Sequence, residues 1–253
     1  MKPITIRSVV RCDRGLVRKI NEDAVGVLPE QGLVVLADGM GGHSAGEVAS
    51  RLAVKSITRM IGGGRTESLA AAIAFANSVI LQAVERDGSL KGMATTVVVG
   101  RFTEGLVEYA HVGDSRLYLW RGEQLRQLTR DHSLVQEMVD EGLYPSLNDA
   151  LKAGVRNNLL TRGVGIGEEL KVESCQLAPC AGDLYLFCSD GLSNMLSDRR
   201  IGKMLAGYNG ALETVADQLL NAALRRGGQD NISIVLVAAD QIVEEQSAGS
   251  ADV

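Results

Sequence analysis

Short apolar runs alternate along the chain with segments whose apolar residues recur at helical spacing. An uninterrupted apolar run bounded by glycine or aspartate is typical of a strand buried on both faces. Gly105 and Gly113 separate three consecutive runs, which we expect to form an antiparallel meander. The predicted strands cover residues 32–37, 95–99, 106–112, 117–120, 171–177, 184–188 and 232–237.

Apolar residues at helical spacing predict five helices. The first ends at the glycines 62–64, because glycine is costly in a regular element, and Asp131 or Ser133 caps the third. The two helix pairs, with strands enough for two sheets, indicate a single α+β domain. The predicted helices cover residues 47–61, 69–84, 131–141, 199–206 and 212–223.

Two segments lack a regular period. Residues 142–167 contain Pro145 with several asparagines and glycines, and we expect a mobile helical flap of the kind that sets specificity. After residue 240 the chain is small, polar and acidic. We therefore assign residues 1–240 to one domain and residues 241–253 to a disordered tail.

Composition narrows the class of protein. Of 253 residues, 45% are apolar and 23% are charged, which are the proportions of an ordinary globular protein. A net charge of -5 and an aromatic content of 4% argue against nucleic-acid binding. No apolar run could span a bilayer and no signal peptide is visible, so we expect a cytoplasmic protein without membrane contact. The cysteines form no Cys-x-x-Cys pair, which argues against zinc and favours reduced thiols.

Four aspartates lie near the ends of predicted strands, each close to a glycine. Asp38 and Asp190 follow apolar runs, Asp114 follows the third strand, and Asp230 precedes the last. Each alone is typical of a turn. At one edge of a sheet, however, these carboxylates would repel and raise one another's pKa, a conflict that a divalent cation removes. Carboxylate and carbonyl oxygens suit Mg²⁺ or Mn²⁺ better than zinc.

The segment 18–23 adds one guanidinium and two acids near the N-terminus. Alone, Arg18, Glu22 and Asp23 are typical of a solvated charged turn. Beside a cluster of aspartates, the planar fork of Arg18 matches phosphate oxygens, and metal ions would bind the same dianion from its other side.

Six motifs occur in a fixed order. With them the chain resembles bacterial members of the metal-dependent Ser/Thr protein phosphatase family, the PPM or phosphatase 2C type, from about residue 13 to 237. The resemblance implies a four-layer αββα sandwich, two antiparallel sheets flanked by helix pairs. The motifs are Arg18-x-x-Asn21-Glu22-Asp23, Asp38-Gly39-Met40-Gly41-Gly42-His43, Gly113-Asp114-Ser115-Arg116, Leu160-Thr161-Arg162, Ser189-Asp190-Gly191-Leu192 and Gly228-x-Asp230-Asn231-Ile232.

The resemblance also implies roles for the matching positions, beginning with the first metal site. Asp38 would bridge two metal ions, and the Gly39 carbonyl would bind one of them. Asp190 and Asp230 would complete the first site.

Other positions would serve the second and third ions and the phosphate. Asp23 would serve the second ion directly or through water, with Glu22 as the alternative. Asp114 would hold a third, weaker ion together with Asp190.

Arg18 matches the phosphate-binding arginine, and Asn231 would support Asp230.

The implied activity is hydrolysis of phosphoserine and phosphothreonine in proteins by direct attack of a metal-bridging hydroxide. The implied cofactors are two Mn²⁺ or Mg²⁺ ions with a third. The implied partners are phosphoproteins, including a bacterial Ser/Thr kinase and its targets, and we expect a monomer. A non-catalytic phosphoprotein-binding module on the same fold is the alternative, which the presence of all five aspartates disfavours.

The sequence departs from the wider family at one position. Met40 stands where many relatives outside bacteria have a histidine, so the leaving group has no obvious side-chain proton donor. His43 suits a helix start, and a water on the third ion is the alternative acid. His111 and His132 are interpreted as a strand residue and a helix-start residue. The glycine-rich segment 39–46 lacks the Gly-Lys-Ser/Thr ending of a nucleotide loop.

Overall fold

The computed structural model describes residues 6–41, 45–63, 68–156 and 159–238. The predicted tail 241–253 and His43 lie outside these ranges. The strands are β1 (Arg7–Asp13), β2 (Asp23–Leu28), β3 (Leu33–Met40), β4 (Ala94–Thr95), β5 (Val97–Thr103), β6 (Leu106–Val112), β7 (Arg116–Arg121), β8 (Gln124–Gln127), β9 (Glu173–Leu177), β10 (Leu184–Cys188) and β11 (Ile232–Ala238). The helices are α1 (Ala45–Gly62), α2 (Leu69–Arg86), α3 (Leu134–Asp140), α4 (Leu147–Lys152), α5 (Asp190–Ser193), α6 (Asp198–Leu205) and α7 (Leu212–Leu224).

The strands form two antiparallel sheets. The first has the order β2-β3-β5-β6-β9, with β4 paired to the end of β3, and the second has the order β1-β11-β10-β7-β8. Helices α1 and α2 pack on the first sheet, and α6 and α7 pack on the second. The chain is therefore a four-layer αββα sandwich, and the predicted fold class is confirmed.

Each central strand is apolar throughout because both of its faces are covered. In β3, Leu33 and Val35 lie in the core under α1 and α2, whereas Val34 and Leu36 lie in the core between the sheets. This alternation is the two-residue period of a strand. The core between the sheets also contains Phe102, whose ring meets that of Tyr185 edge to face at 5.2 Å.

Helix α2 has the length and apolar composition of a membrane span, with a mean hydropathy of 1.3 over 18 residues. Its face that includes Ala72, Ile73, Ala76 and Ile80 is buried in the core with α1 and the first sheet. Core helices of globular proteins pass the same length and composition test, so the hydropathy of α2 does not indicate a span.

The predicted meander is wrong, because the third of its strands belongs to the other sheet. Strands β5 and β6 pair with each other, but β7 pairs with β10 and β8. The chain crosses between the sheets at residues 113–115, where Gly113 has a φ of 102° that glycine adopts readily. Strands β1 and β8 and the short helix α5 carry no apolar run long enough to have predicted them, and β2, with its short run at residues 24–28, was also not predicted.

The segment 142–167 is only partly the flap that the sequence predicts. It contains α4, but its last residues are held to the body of the protein. Val164 exchanges two backbone hydrogen bonds with Thr95, of 2.8 and 2.9 Å. Asn77 accepts from the Gly165 N–H at 2.6 Å and donates to the Gly167 carbonyl at 2.8 Å. These hydrogen bonds fix the end of the segment, at residues 164–167, to the body of the protein.

Candidate metal centre

Both sheets deliver aspartates to one end of the sandwich. Asp23 and Asp38 lie directly opposite each other in the pairing of β2 with β3. Asp190 opens α5 directly after β10, and Asp230 lies just before β11. Asp114 lies on the crossover between the sheets. The structure thus brings together the five aspartates that the sequence singled out, from elements far apart in the chain.

Burial and mutual repulsion raise the pKa of four of these aspartates. Burial is the larger cause in each case, and neighbouring carboxylates add to it. The pKa of Asp190 is raised to about 6, that of Asp23 to about 7 and that of Asp114 to about 8. Burial also raises the pKa of Asp38 well above its usual value, and the charges of the other four aspartates add to the effect. Without a cation the cluster therefore holds protons at neutral pH.

Three buried carboxylate oxygens in the described part of the chain have no hydrogen-bond partner. They are Oε1 of Glu22, Oδ1 of Asp23 and Oδ1 of Asp190. Buried acceptors are nearly always satisfied, and a site for a bound ion is one of the standard reasons for an exception. Hard oxygen donors of this kind are what Mg²⁺ and Mn²⁺ prefer, so the residues fit these ions.

The second oxygen of two of these aspartates is held by a neighbouring side chain. The Ser189 hydroxyl donates to Oδ2 of Asp23 at 2.8 Å, and Asn194 Nδ2 donates to Oδ2 of Asp190 at 3.0 Å. Each carboxylate is thereby oriented with its other oxygen free. The sequence analysis missed both donors, although Ser189 directly precedes an aspartate of the cluster and Asn194 follows it by one helical turn.

Asn231 supports the site through the backbone. Its Oδ1 accepts from the Glu22 N–H at 2.8 Å, and its Nδ2 donates to the carbonyls of Arg14 and Ile20 at 2.9 Å each. The side chain thus joins the start of β11 to the segment between β1 and β2. These contacts place Glu22, whereas the contact with Asp230 is made by the Asn231 N–H, which donates to Oδ1 at 2.8 Å.

The Gly39 backbone lies so close to α1 that no side chain fits. A Cβ on Gly39 would come within 2.1 Å of the Gly46 carbonyl oxygen, and a Cβ on Gly46 would meet Oε1 of Glu22 at 2.6 Å. The glycine-rich motif after Asp38 therefore serves close packing of the helix start against the acidic cluster.

Arg18 contacts the cluster at its open side. Its Nη2 donates to Oδ2 of Asp230 at 2.6 Å, and its side chain remains 48% exposed. Negative charge on Asp230, Glu22 and Asp38 favours the protonated guanidinium and holds its pKa above the usual value, against the opposing effect of burial. The guanidinium is thus placed between the acids and solvent, where a phosphate would approach.

His111 and His132 form a second polar cluster with Glu173, although the sequence suggested only local roles for them. The two rings stack with centroids 4.8 Å apart. The Gly113 N–H donates to Nδ1 of His132, so the Nε2 proton of His132 donates to Glu173, at 3.0 Å. Arg162 also pairs with Glu173 at 3.0 Å. Because Nε2 of His132 is protonated and the Arg162 guanidinium is positively charged, the cluster does not suit a cation. Its contacts instead join the crossover to residues 159–167.

A cavity of about 190 Å³ lies between α4 and the acidic cluster. Asp114 and Asp190 line one side of it, and Leu147 and Leu151 of α4 line the other. The first half of the segment 142–167 therefore faces the edge of the centre. Met40 lies against Gly163.

Comparison with known proteins agrees with this geometry. The model of the family described as protein phosphatase 2C matches residues 17–227. The chain is 39% identical over 92% of its length to the serine/threonine protein phosphatase PstP of Mycobacterium tuberculosis, of which it covers 45%. It is 38% identical over 91% of its length to the serine/threonine phosphatase stp of Listeria monocytogenes, of which it covers 94%.

A solved structure shows the same fold. The catalytic domain of PstP in complex with two manganese ions superposes with a TM-score of 0.82 at 38% identity, covering 92% of this chain and 97% of that one. A metal-dependent phosphatase fold is thus the class that the sandwich and its acidic edge define. The chain belongs to the protein phosphatase 2C family. It spans less than half the length of the mycobacterial PstP relatives.

Proposed function

We propose that this protein hydrolyses phosphoserine and phosphothreonine in other proteins with bound Mn²⁺ or Mg²⁺. The observation that carries the proposal is the set of buried, unpartnered carboxylate oxygens at one end of the sandwich. Asp38, Gly39, Asp190 and Asp230 would hold the first ion. Asp38 would share the second.

The remaining acids complete the centre. Asp23, or Glu22 in its place, would serve the second ion, and Asp114 with Asp190 would hold the third. Divalent cations lower the pKa of water and offset the charge of phosphoryl oxygens when bound. The Ser189 hydroxyl orients Asp23 and leaves the other oxygen of that carboxylate without a partner in the protein.

Arg18 would bind the phosphoryl oxygens. Its fork already faces the open side of the cluster and contacts Asp230, so little movement separates its position from a phosphate contact. Met40 cannot donate a proton to the leaving group, and solvent at the exposed edge supplies it. The alternative, a phosphoprotein-binding module without catalysis, needs none of the unpartnered oxygens.

The setting of the activity is also part of the proposal. The substrates include a bacterial Ser/Thr kinase and the targets of that kinase, and the protein acts as a monomer with its catalytic domain in residues 1–240. Three exposed cysteines, at 12, 175 and 180, carry free thiols, which suits a reducing cytoplasm.

A test separates hydrolysis from binding. The protein is incubated with a phosphothreonine peptide and Mn²⁺ in ¹⁸O-labelled water, and the released phosphate is analysed by mass spectrometry. We expect continuous release, with one ¹⁸O atom per phosphate and no phosphorylated protein after acid quench. Binding of the peptide without release would favour the non-catalytic module, and a trapped phosphorylated protein would exclude direct attack by water.

Replacement of Arg18 is expected to weaken substrate binding. A charge-assisted hydrogen bond contributes about 1.5–3 kcal/mol, so Arg18→Ala should lower kcat/KM by roughly 10- to 150-fold. Most of the loss should appear in KM, because the contact exists in the ground state and in the transition state alike. Arg18→Lys should recover only part, since an ammonium lacks the planar fork. Steady-state kinetics at saturating Mn²⁺ measure both effects.

The control for this series is Arg14→Ala, which removes an exposed arginine from the same loop. Arg14 has no contact with the acidic cluster among the hydrogen bonds of the described residues, so its kinetics should match the unmodified protein. Equal KM values for Arg18→Ala and Arg14→Ala would show that Arg18 does not bind the phosphate and is only a solvated charge beside the site.

A further inference from the structure

An open pocket of about 500 Å³ lies on the outside of the second sheet's helical layer. No acidic residue of the described chain lines it, although the protein as a whole carries a net charge of -5. We call this surface the basic pocket. Its lining residues are Ser197, Arg199, Arg200, Lys203, Met204 and Arg226.

No ion pair of the described residues neutralises the positive charges of the basic pocket, although Arg199 and Lys203 also line an adjacent pocket with Asp198 and Glu123. Arg199, Arg200 and Lys203 are exposed on α6 and form no ion pair with another described residue. Arg199 and Lys203 stand one helical turn apart, an arrangement in which like charges repel and destabilise a helix. The acid that begins the helix, Asp198, accepts a hydrogen bond from the Tyr118 hydroxyl at 2.9 Å. An anion in the pocket would relieve this repulsion.

The basic pocket lies on the same end of the sandwich as the metal centre. Arg226 donates to the Met195 carbonyl at 3.1 Å, which joins the end of α7 to the segment after α5. Arg226 is four residues before Asp230, so their Cα atoms are at most about 14 Å apart. On its other side the pocket begins at Ser197, seven residues after Asp190.

We propose that the basic pocket binds an anionic group on the same polypeptide as the phosphoserine or phosphothreonine that is hydrolysed. An extended peptide covers about 14 Å in four residues, so a group about four residues from the phosphorylated one can reach from Asp230 to the Arg226 edge of the pocket. The group is a second phosphate or a cluster of carboxylates, and two arginines favour phosphate because their planar forks match its oxygens. The inference rests on the proposed function and adds a preference for multiply phosphorylated or acidic segments.

The test compares three phosphothreonine peptides and one small aryl phosphate. The first peptide has neutral flanks, the second carries a phosphoserine about four residues away on either side, and the third carries glutamates there. In R199A/R200A/K203A we expect KM for the doubly phosphorylated peptide to rise about tenfold, because exposed ion pairs are individually weak and three are lost. Hydrolysis of the neutral peptide and of the aryl phosphate should be unchanged.

Salt gives a second readout. In the unmodified protein the preference for the doubly phosphorylated peptide should shrink between about 0.05 and 0.5 M NaCl, because salt screens exposed charges. The variant should show no such loss, since it has no preference to lose. A rise in KM for the glutamate peptide of the same size would extend the ligand class to carboxylates, and a rise for the phosphopeptide alone would restrict it to phosphate.

The matched control is K55A/R86A/K91A, which removes three exposed positive charges from the helical layer of the first sheet. Its KM for every peptide should equal that of the unmodified protein. An equal rise in the control would show general attraction by net charge and overturn the proposal. Unchanged KM in R199A/R200A/K203A would overturn it as well, as would a parallel loss with the neutral peptide. Hydrolysis of the aryl phosphate tests the proposed function separately.

Discussion

Removal of divalent cations is expected to abolish phosphate release, and excess Mn²⁺ or Mg²⁺ is expected to restore it. The reason is that the described residues that converge there are mainly carboxylates suited to holding cations, while the Ser189 hydroxyl donates to Asp23 and Met40 has no acid–base chemistry. The measurement is hydrolysis of a phosphothreonine peptide in excess chelator and after addition of metal. Full activity in excess chelator would contradict the assignment of the centre.

The same treatment should change how stability depends on pH. In the folded, metal-free protein the pKa values of Asp190, Asp23 and Asp114 are raised to about 6, 7 and 8, whereas an unfolded aspartate titrates near about 3.9. The folded state therefore binds more protons than the unfolded state, and this stabilisation is lost as pH rises through 6 to 8. A bound metal ion keeps the carboxylates ionised, so the loss of stability with rising pH should disappear.

Urea denaturation at about pH 6.5 and about pH 8.5, with chelator and with Mn²⁺, measures this effect. The free energy of unfolding should fall by about 1–3 kcal/mol with chelator and stay level or rise with Mn²⁺. The range begins at about pH 6.5 because His111 and His132, whose pKa values are lowered by burial, act in the opposite direction below it. Equal pH dependence in both conditions would show that the aspartates do not hold the cation.

Asp38→Asn and Asp190→Asn are expected to lower kcat by about 10³-fold or more while raising the stability of the metal-free protein. Each substitution removes a carboxylate proposed to touch more than one ion, so catalysis loses its cation site. Each also removes a carboxyl group that the metal-free fold must either bury as a charge or protonate, which should stabilise that fold by about 1–3 kcal/mol near pH 8. Kinetics and urea denaturation of the same samples measure the two effects.

A fall in activity together with a rise in stability distinguishes a metal ligand from a structural residue. A residue needed for packing would lose activity and stability together. Glu104→Ala, at an exposed position between β5 and β6, is the matched control and should change neither quantity. Retention of most activity by Asp38→Asn or Asp190→Asn would show that the ligand assignment is wrong.

The parts of the fold that the sequence predicted are those with both faces covered. Strands β3, β10 and β11 are continuous apolar runs because helices cover one face and the other sheet covers the second. By contrast, β1 lies at a sheet edge and is partly exposed along its length, so its sequence carries no clear period. Strand β2, which was also missed, likewise lies at a sheet edge and is only partly buried.

Local pattern also says nothing about which sheet a strand joins. Strands β6 and β7 are separated by a short glycine-containing segment, which is the usual signal of a hairpin, yet they lie in different sheets. The motifs named the five aspartates, but their geometry depends on the pairing of Asp23 with Asp38 across a strand that the sequence did not predict. Ser189 and Asn194 can be recognised as hydrogen-bond donors to the site only when the positions of the carboxylates are known.

Because the aspartates are divided between the two sheets, the geometry of the acidic edge depends on the distance between the sheets. Asp38 moves with the first sheet and Asp190 with the second, while Phe102 and Phe187 set the separation from within, with their rings 6.4 Å apart. An ion held by both Asp38 and Asp190 would therefore depend on that separation. We expect a variant with a loosened interior to bind metal more weakly before it unfolds.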